Sequence, residues 1–153
     1  MTLELYGGAA PDNIAKLLVE AMEHYGETEL AESKLLEAKQ QSPRSLAVYF
    51  SLYKFYFYKK RLVDAEQTTR EALIEAATQA GFHPNWDNLD ANSTDWSDKI
   101  PRFYLFSLKA LAFIKLRQGD NSACRHMLAK LDALDPGDSV GASVIREIHA
   151  GAH

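Results

Sequence analysis

The sequence predicts an all-α fold of three helical hairpins followed by a C-terminal capping helix. Three observations point there. Apolar residues recur at helical spacing through most of the chain. Pro43 and Pro136 each close a long helical pattern, as proline does, and the two stretches that end there share a layout. A third stretch between them repeats that layout without its proline. At 153 residues the chain is the size of one domain, here 1–153, and such a chain buries about 70% of its unfolded surface without staples.

The first hairpin spans 12–45. Proline suits a first helical turn and aspartate a cap or acidic start, so a helix is expected from Pro11-Asp12. Ile14, Leu18, Ala21 and Tyr25 form its stripe, widened by Leu17 and Met22. Gly26 is expected to break it. A second helix comes next with Ala31, Leu35 and Ala38 on one face, and Pro43 stops it.

The second hairpin spans 46–80. Tyr49, Leu52, Tyr53 and Tyr56 make one stripe, Lys59-Lys60-Arg61 stands where a glycine turn belongs, and Ala65 and Ala72 occupy small positions. The matching proline is replaced by Ala77, so this helix is expected to run on to Gly81. The third hairpin spans 105–138, with Leu108, Leu111 and Ala112, a Gln118-Gly119-Asp120 turn, then Cys124, Leu128, Leu131 and Pro136. Val140, Val144, Ile145 and Ile148 predict a capping helix over 139–150, with Ser139 as its cap.

These positions resemble the tetratricopeptide repeat (TPR), a helix–turn–helix of about 34 residues. The first unit matches through Leu18, Ala31, Leu35, Ala38 and Pro43. The second matches through Tyr49, Leu52, Tyr56, Ala65 and Ala72, and the third through Leu111, Ala112, Gly119, Cys124, Leu128 and Pro136. The departures are Ala15, Val19 and Met22 in the first unit, Thr69 in the second and Lys115 in the third. The resemblance implies a right-handed α–α superhelix, a TPR-like solenoid whose open end a terminal helix covers. Small residues at Ala31, Ala65 and Cys124 allow close helix crossings there, and Cys124 reads as a small core residue.

From Leu46 to Leu105 the spacing exceeds one repeat by about 25 residues. Part of the excess lengthens the second hairpin; the rest is an insertion over 81–100, rich in turn formers. It holds Asp87, Asp90, Asp95, Asp98 and both tryptophans, Trp86 and Trp96. It reads either as an elaborated connection whose indoles plug gaps or as a lid over a binding surface. The metal-ligand candidates are His83 with Asp87 or Asp90, and the i,i+4 pair His149/His153. Neither adds up to a ligand set, and no metal or other cofactor is expected.

Seven of the sixteen aromatic residues lie in Tyr49–Tyr58, and between Ser42 and Arg61 there are basic residues and no acidic one. One helix cannot aim all these rings at one core. The first helix of each TPR unit lines a concave groove, so the resemblance implies a groove of Lys16, Glu20 and His24, then Phe50, Ser51, Lys54, Phe57 and Tyr58, then Phe106, Lys109, Phe113 and Arg117. Aromatic clusters of this kind mark interaction sites unless another segment covers them. TPR domains that clamp the acidic tails of heat-shock chaperones place Lys and Asn, then Asn, then Lys and Arg in the groove. Here the matching residues are Lys16 and Glu20, Ser51, then Phe106 and Ala110; Lys16 alone agrees, so an intact clamp is not expected.

The function expected is non-enzymatic binding of a partner peptide or helix. Net charge is −4, which argues against a nucleic-acid partner. No apolar run reaches the roughly 18 residues of a membrane span. One cysteine rules out an internal disulfide, and Met1–Gly8 has neither the basic nor the apolar region of a signal peptide, so a cytoplasmic protein is expected. No phosphate loop, zinc-helix motif or nucleophile elbow is present, so no enzyme is expected. Two other readings are a homodimer closed by the aromatic face and a class II chaperone of type III secretion, which shares the size, acidity and three-repeat layout but lacks the insertion. The stretch Pro101–Lys115 also resembles small bacterial TPR proteins, some encoded near nitrogen-fixation genes.

Overall fold

A computed structural model describes residues 10–151. Met1–Gly8, and His153 of the histidine pair, lie outside the described residues. Among the described residues there are seven α-helices and no strand. They are α1 (Asp12–Glu23), α2 (Thr28–Gln41), α3 (Leu46–Tyr58), α4 (Leu62–Ala80), α5 (Lys99–Arg117), α6 (Asn121–Leu134) and α7 (Ala142–Gly151). Two compact units divide at Thr68/Thr69, inside α4.

In the first unit α1 packs on α2 and α2 on α3. Pro11 caps α1 with its carbonyl, which accepts from the N–H groups of Ile14 and Ala15 at 2.9 and 2.8 Å. Ile14, Leu17, Leu18 and Ala21 are buried, as their spacing predicts. The turn after α1 passes through Gly26, but a Cβ there would meet nothing within 4 Å and the backbone is not left-handed. Helix α1 ends at Glu23, ahead of the glycine, so weak helix propensity rather than a conformational demand accounts for Gly26. Ala31 and Ala38 are fully buried in α2, which stops at Gln41 before Pro43. Ser45 caps α3, accepting from the Val48 N–H at 3.4 Å. The Tyr49 hydroxyl donates to the Pro43 carbonyl at 2.8 Å, tying α3 to the preceding stop.

The turn from α3 to α4 repeats the turn from α5 to α6 bond for bond. Lys59, Lys60 and Arg61 donate to the carbonyls of Phe55, Phe57 and Tyr56 at 3.0, 3.0 and 2.9 Å; Gln118, Gly119 and Asp120 donate to those of Ile114, Leu116 and Lys115 at 2.9, 3.0 and 2.9 Å. The middle residue is left-handed in both, with φ 62° at Lys60 and 84° at Gly119. This is how a helix ends when its last carbonyls are satisfied from beyond the terminus.

In the second unit α5 packs on α6, and α7 packs on both. Helix α4 does run to Ala80 and ends at a left-handed Gly81. Helix α5 begins at Lys99 rather than near 105, so the insertion is shorter than 81–100. Pro101 falls in the first turn of α5, where its missing N–H has no partner to lose. Helix α7 begins at Ala142 rather than 139. Ser139 is not its cap: the hydroxyl and N–H of Ser139 donate to Asp135 at 2.8 and 3.0 Å. Asp138 does the capping, accepting from the hydroxyl and N–H of Ser143 at 2.6 and 3.2 Å. Those bonds hold the Asp138 carboxyl below its usual range. Cys124 is fully buried, and burial pushes its thiol up, as a core residue requires. No helix of the described residues is long and apolar enough to cross a membrane.

Candidate functional site

The face of α3 that the periodicity turned from the core is partly open. Tyr49, Leu52, Tyr53 and Tyr56 are buried, and so is Phe55, which the stripe left out. Phe55 meets the Tyr25 ring edge-on at 5.9 Å. Phe50, Ser51 and Phe57 are half-buried, while Lys54 and Tyr58 are exposed, Tyr58 at 60%. The Lys54 ammonium lies 5.6 Å from the centroid of Phe50 and 6.0 Å from that of Tyr58. Helical spacing of four residues makes this ladder, since side chains at i and i+4 share a face. Phe57 meets Tyr58 edge-on at 5.6 Å.

On α1, Lys16 is exposed. Glu20 pairs with Lys34 at 3.2 Å, and His24 Nδ1 with Glu27 at 3.2 Å, so these two groove candidates face local partners. Behind the α3 face a charged network holds the turn, which sequence spacing did not reveal. Arg61 donates to both Glu32 oxygens at 2.8 and 3.0 Å and to Asp64 at 2.9 Å. The Tyr56 hydroxyl donates to Glu32 at 2.7 Å. Hydrogen bonding from Arg61 first, and from Tyr56 as well, holds the Glu32 carboxyl down against the opposing effect of burial. Lys59 donates to the Tyr25 carbonyl at 2.8 Å and lies 3.9 Å over the Tyr25 ring.

In the second unit α5 carries the same chemistry at spacings of three and four residues. Phe106 and Phe113 are half-buried, with Lys109 4.4 Å over the first ring and Arg117 5.6 Å over the second. Lys109 is nevertheless committed elsewhere. Its ammonium donates to the Val140 carbonyl at 2.7 Å, just ahead of α7, and burial lowers its proton affinity. Arg102 donates to the neighbouring Ser139 carbonyl at 3.0 Å. This part of the α5 face therefore helps to hold the segment that leads into α7.

The insertion is pinned down within its own unit. The Tyr104 hydroxyl donates to the Pro84 carbonyl at 2.7 Å, and Lys130 to that of Leu89 at 2.9 Å. Trp96 packs against Phe82 and Tyr104, with centroids 5.2 and 6.2 Å away, and its Nε1–H donates to the Asp90 carbonyl at 3.0 Å. The Arg70 guanidinium lies 5.7 Å from the Trp86 ring. At 100° per residue Tyr104 stands about 160° from Phe106 around α5. The insertion thus anchors opposite the Phe106/Phe113 stripe. Among its acids, Asp87 meets His126 Nε2 at 2.6 Å, a pair that lies too far apart in sequence for spacing to suggest. His83 Nδ1 instead accepts from the Asn85 N–H at 3.0 Å. Among the described residues no three His, Cys, Asp or Glu side chains gather as a metal site.

The chain is similar to one curated protein, the uncharacterized 19.8 kDa protein in nifW 5'region of Azotobacter chroococcum mcd 1, at 32% identity over 134 residues that cover 85% of this chain and 75% of that protein. No family model matches the chain, and no solved structure matches it.

Proposed function

This chain belongs to the same family as that nifW-region protein, and on this footing we propose that it is a non-enzymatic protein–protein interaction module. The observation that carries the proposal is the α3 face: an exposed Tyr58 and half-buried Phe50 and Phe57, with a lysine laid between two of the rings. Aromatic groups of this kind supply most of the energy of binding hot spots. A partner segment lying on this face is the occupant proposed; the cations orient it. The fold proposed with it is a TPR-like right-handed α–α superhelix. Its support is the repeated turn at Lys60 and Gly119 and the full burial of Ala31, Ala65 and Cys124 at matching places. A non-enzymatic role is supported by a thiol locked in the core and by histidines His24, His83 and His126 engaged in separate contacts, the first two local and the third with Asp87.

The test is co-purification from the native cell with the wild-type chain and with Tyr58→Ala, a substitution at a mostly exposed ring that leaves the core untouched. A partner retained by the parent and lost by Tyr58→Ala supports the proposal. The same partners at the same yield with both would sink the assignment of this face.

A second, broader reading rests on the relative's genomic description alone: an accessory role in a nitrogen-fixing system. Disrupting the gene in a nitrogen-fixing host is expected to slow growth on dinitrogen and leave growth on ammonium unchanged. Equal growth on dinitrogen would refute it.

A further inference from the structure

We infer that the segment received by the α3 face is acidic, presenting a carboxylate beside an apolar or aromatic side chain; this rests on the docking role proposed above. The first ground is the state of Lys54. Its ammonium is exposed, and among the described residues its contacts are the Phe50 and Tyr58 rings, with no carboxylate. The ring faces attract the charge without cancelling it.

The second ground is that the neighbouring cations are already spent. Arg61 is neutralised by Glu32 and Asp64, and Lys59 is bonded to the Tyr25 carbonyl. No acidic residue occurs between Ser42 and Arg61 to serve Lys54 from its own stretch of chain. Lys60, exposed on the turn beyond Tyr58, has the same sign. The corresponding lysine on α5 shows what a satisfied one looks like: Lys109 has the Val140 carbonyl.

The sign of the charge decides among partners. An apolar segment lying on Phe50 and Tyr58 would cover the Lys54 ammonium with nothing to replace its water, and burying an unpaired charge is costly. A basic segment would add like-charge repulsion. A carboxylate at Lys54 keeps both ring contacts and adds a charge-assisted hydrogen bond. The rings hold the lysine in place beforehand, so less freedom is lost on binding.

The experiment is selection of a displayed random peptide library on the immobilised full chain, followed by fluorescence anisotropy of the best binder against the parent, Lys54→Met and Lys54→Glu. Far-UV circular dichroism confirms that the variants are folded. The expected binders carry net negative charge and at least one large apolar side chain. Lys54→Glu is expected to weaken the best of them about tenfold or more, with Lys54→Met intermediate and the difference shrinking as salt is raised. Binders that are neutral or basic, and lose affinity with Tyr58→Ala, would overturn the acidic specificity and leave the docking face standing. No enrichment over a bare surface, or binding indifferent to Tyr58→Ala, would overturn the docking face as well. A concentration-dependent dimer abolished by Tyr58→Ala would identify the occupant as a second copy and overturn the inference.

Discussion

The doubled turn allows a test in which each copy serves as the other's control. Lys60 and Gly119 occupy the same place in the same hydrogen-bond pattern, at φ 62° and 84°. A side chain in the left-handed region costs about 1–2 kcal/mol because its Cβ crowds the following carbonyl. Glycine avoids that cost but gives up about 0.5–1 kcal/mol of additional backbone freedom on folding. The Lys60 side chain is exposed on the turn. Lys60→Gly is therefore expected to stabilise the protein by about 0.5–1 kcal/mol, the difference between those two effects. For a chain of this length that raises Tm by about 1–4 °C.

The reciprocal change runs the other way. A Cβ at Gly119 would meet nothing within 4 Å, so Gly119→Ala is a purely conformational perturbation. It is expected to destabilise by about 0.5–1 kcal/mol. Urea unfolding followed by circular dichroism reads both variants, and an unchanged m value shows that stability has shifted and not the surface exposed on unfolding. If Lys60→Gly lowers the midpoint, or if the two variants shift it in the same direction, the equivalence of the turns is wrong, and with it the strongest structural support for a repeat.

Three further outcomes are expected. Ala31→Leu, at a fully buried position in α2, overpacks the crossing and costs about 1–3 kcal/mol, read as a fall in the urea midpoint; a neutral result would mean that the helices are not close there. Glu32 has a folded pKa lowered chiefly by Arg61, so its contribution to stability is present above its unfolded value of about 4.3 and is lost as pH falls through that value toward the lower folded one. The urea midpoint should therefore drop more steeply on acidification in the parent than in Glu32→Gln; identical pH profiles would show that the network does not act through this carboxylate. Asp138→Ala removes the acceptor for both Ser143 bonds at the start of α7, and hydrogen exchange should speed up in α7 while α5 and α6 hold their protection; unaltered α7 protection would show that the cap is idle.

The elements legible in the sequence are those whose ends are fixed by local chemistry. Pro11, Pro43, Gly81 and Gly119 act within a turn of where they stand, and the helices begin or end beside them. The start of α5 is not legible because repeat spacing sets it near Leu105, while Asp98 and a first-turn Pro101 let it begin at Lys99. The start of α7 is ambiguous in sequence because Ser139 and Asp138 are both good caps, and Asp135 takes the serine. At the candidate site, helical spacing separates Phe50, Lys54, Phe57 and Tyr58 from the buried Tyr49, Leu52, Tyr53 and Tyr56. It does not find Glu32 beneath Arg61 and Tyr56, or His126 beside Asp87, since both pairings join residues far apart in sequence.

Lys54 and Lys109 show where reading by pattern ends and reading by contact begins. Each sits on a helix beside a phenylalanine three or four positions earlier, and each lies over that ring. Ring and cation alone therefore define a type of face, not its availability. Availability is set by the chain that returns to pack beside it. The bend after α6 delivers the Val140 carbonyl to Lys109, which then holds the segment leading into α7. No carbonyl or carboxylate among the described residues is delivered to Lys54, so that ammonium keeps its charge at the surface between two rings. Helices α3 and α5 thus carry two similar cationic faces. Among the described residues Lys109 is met by a returning segment and Lys54 is not, and that asymmetry makes Lys54, and not Lys109, the cation to test for a partner.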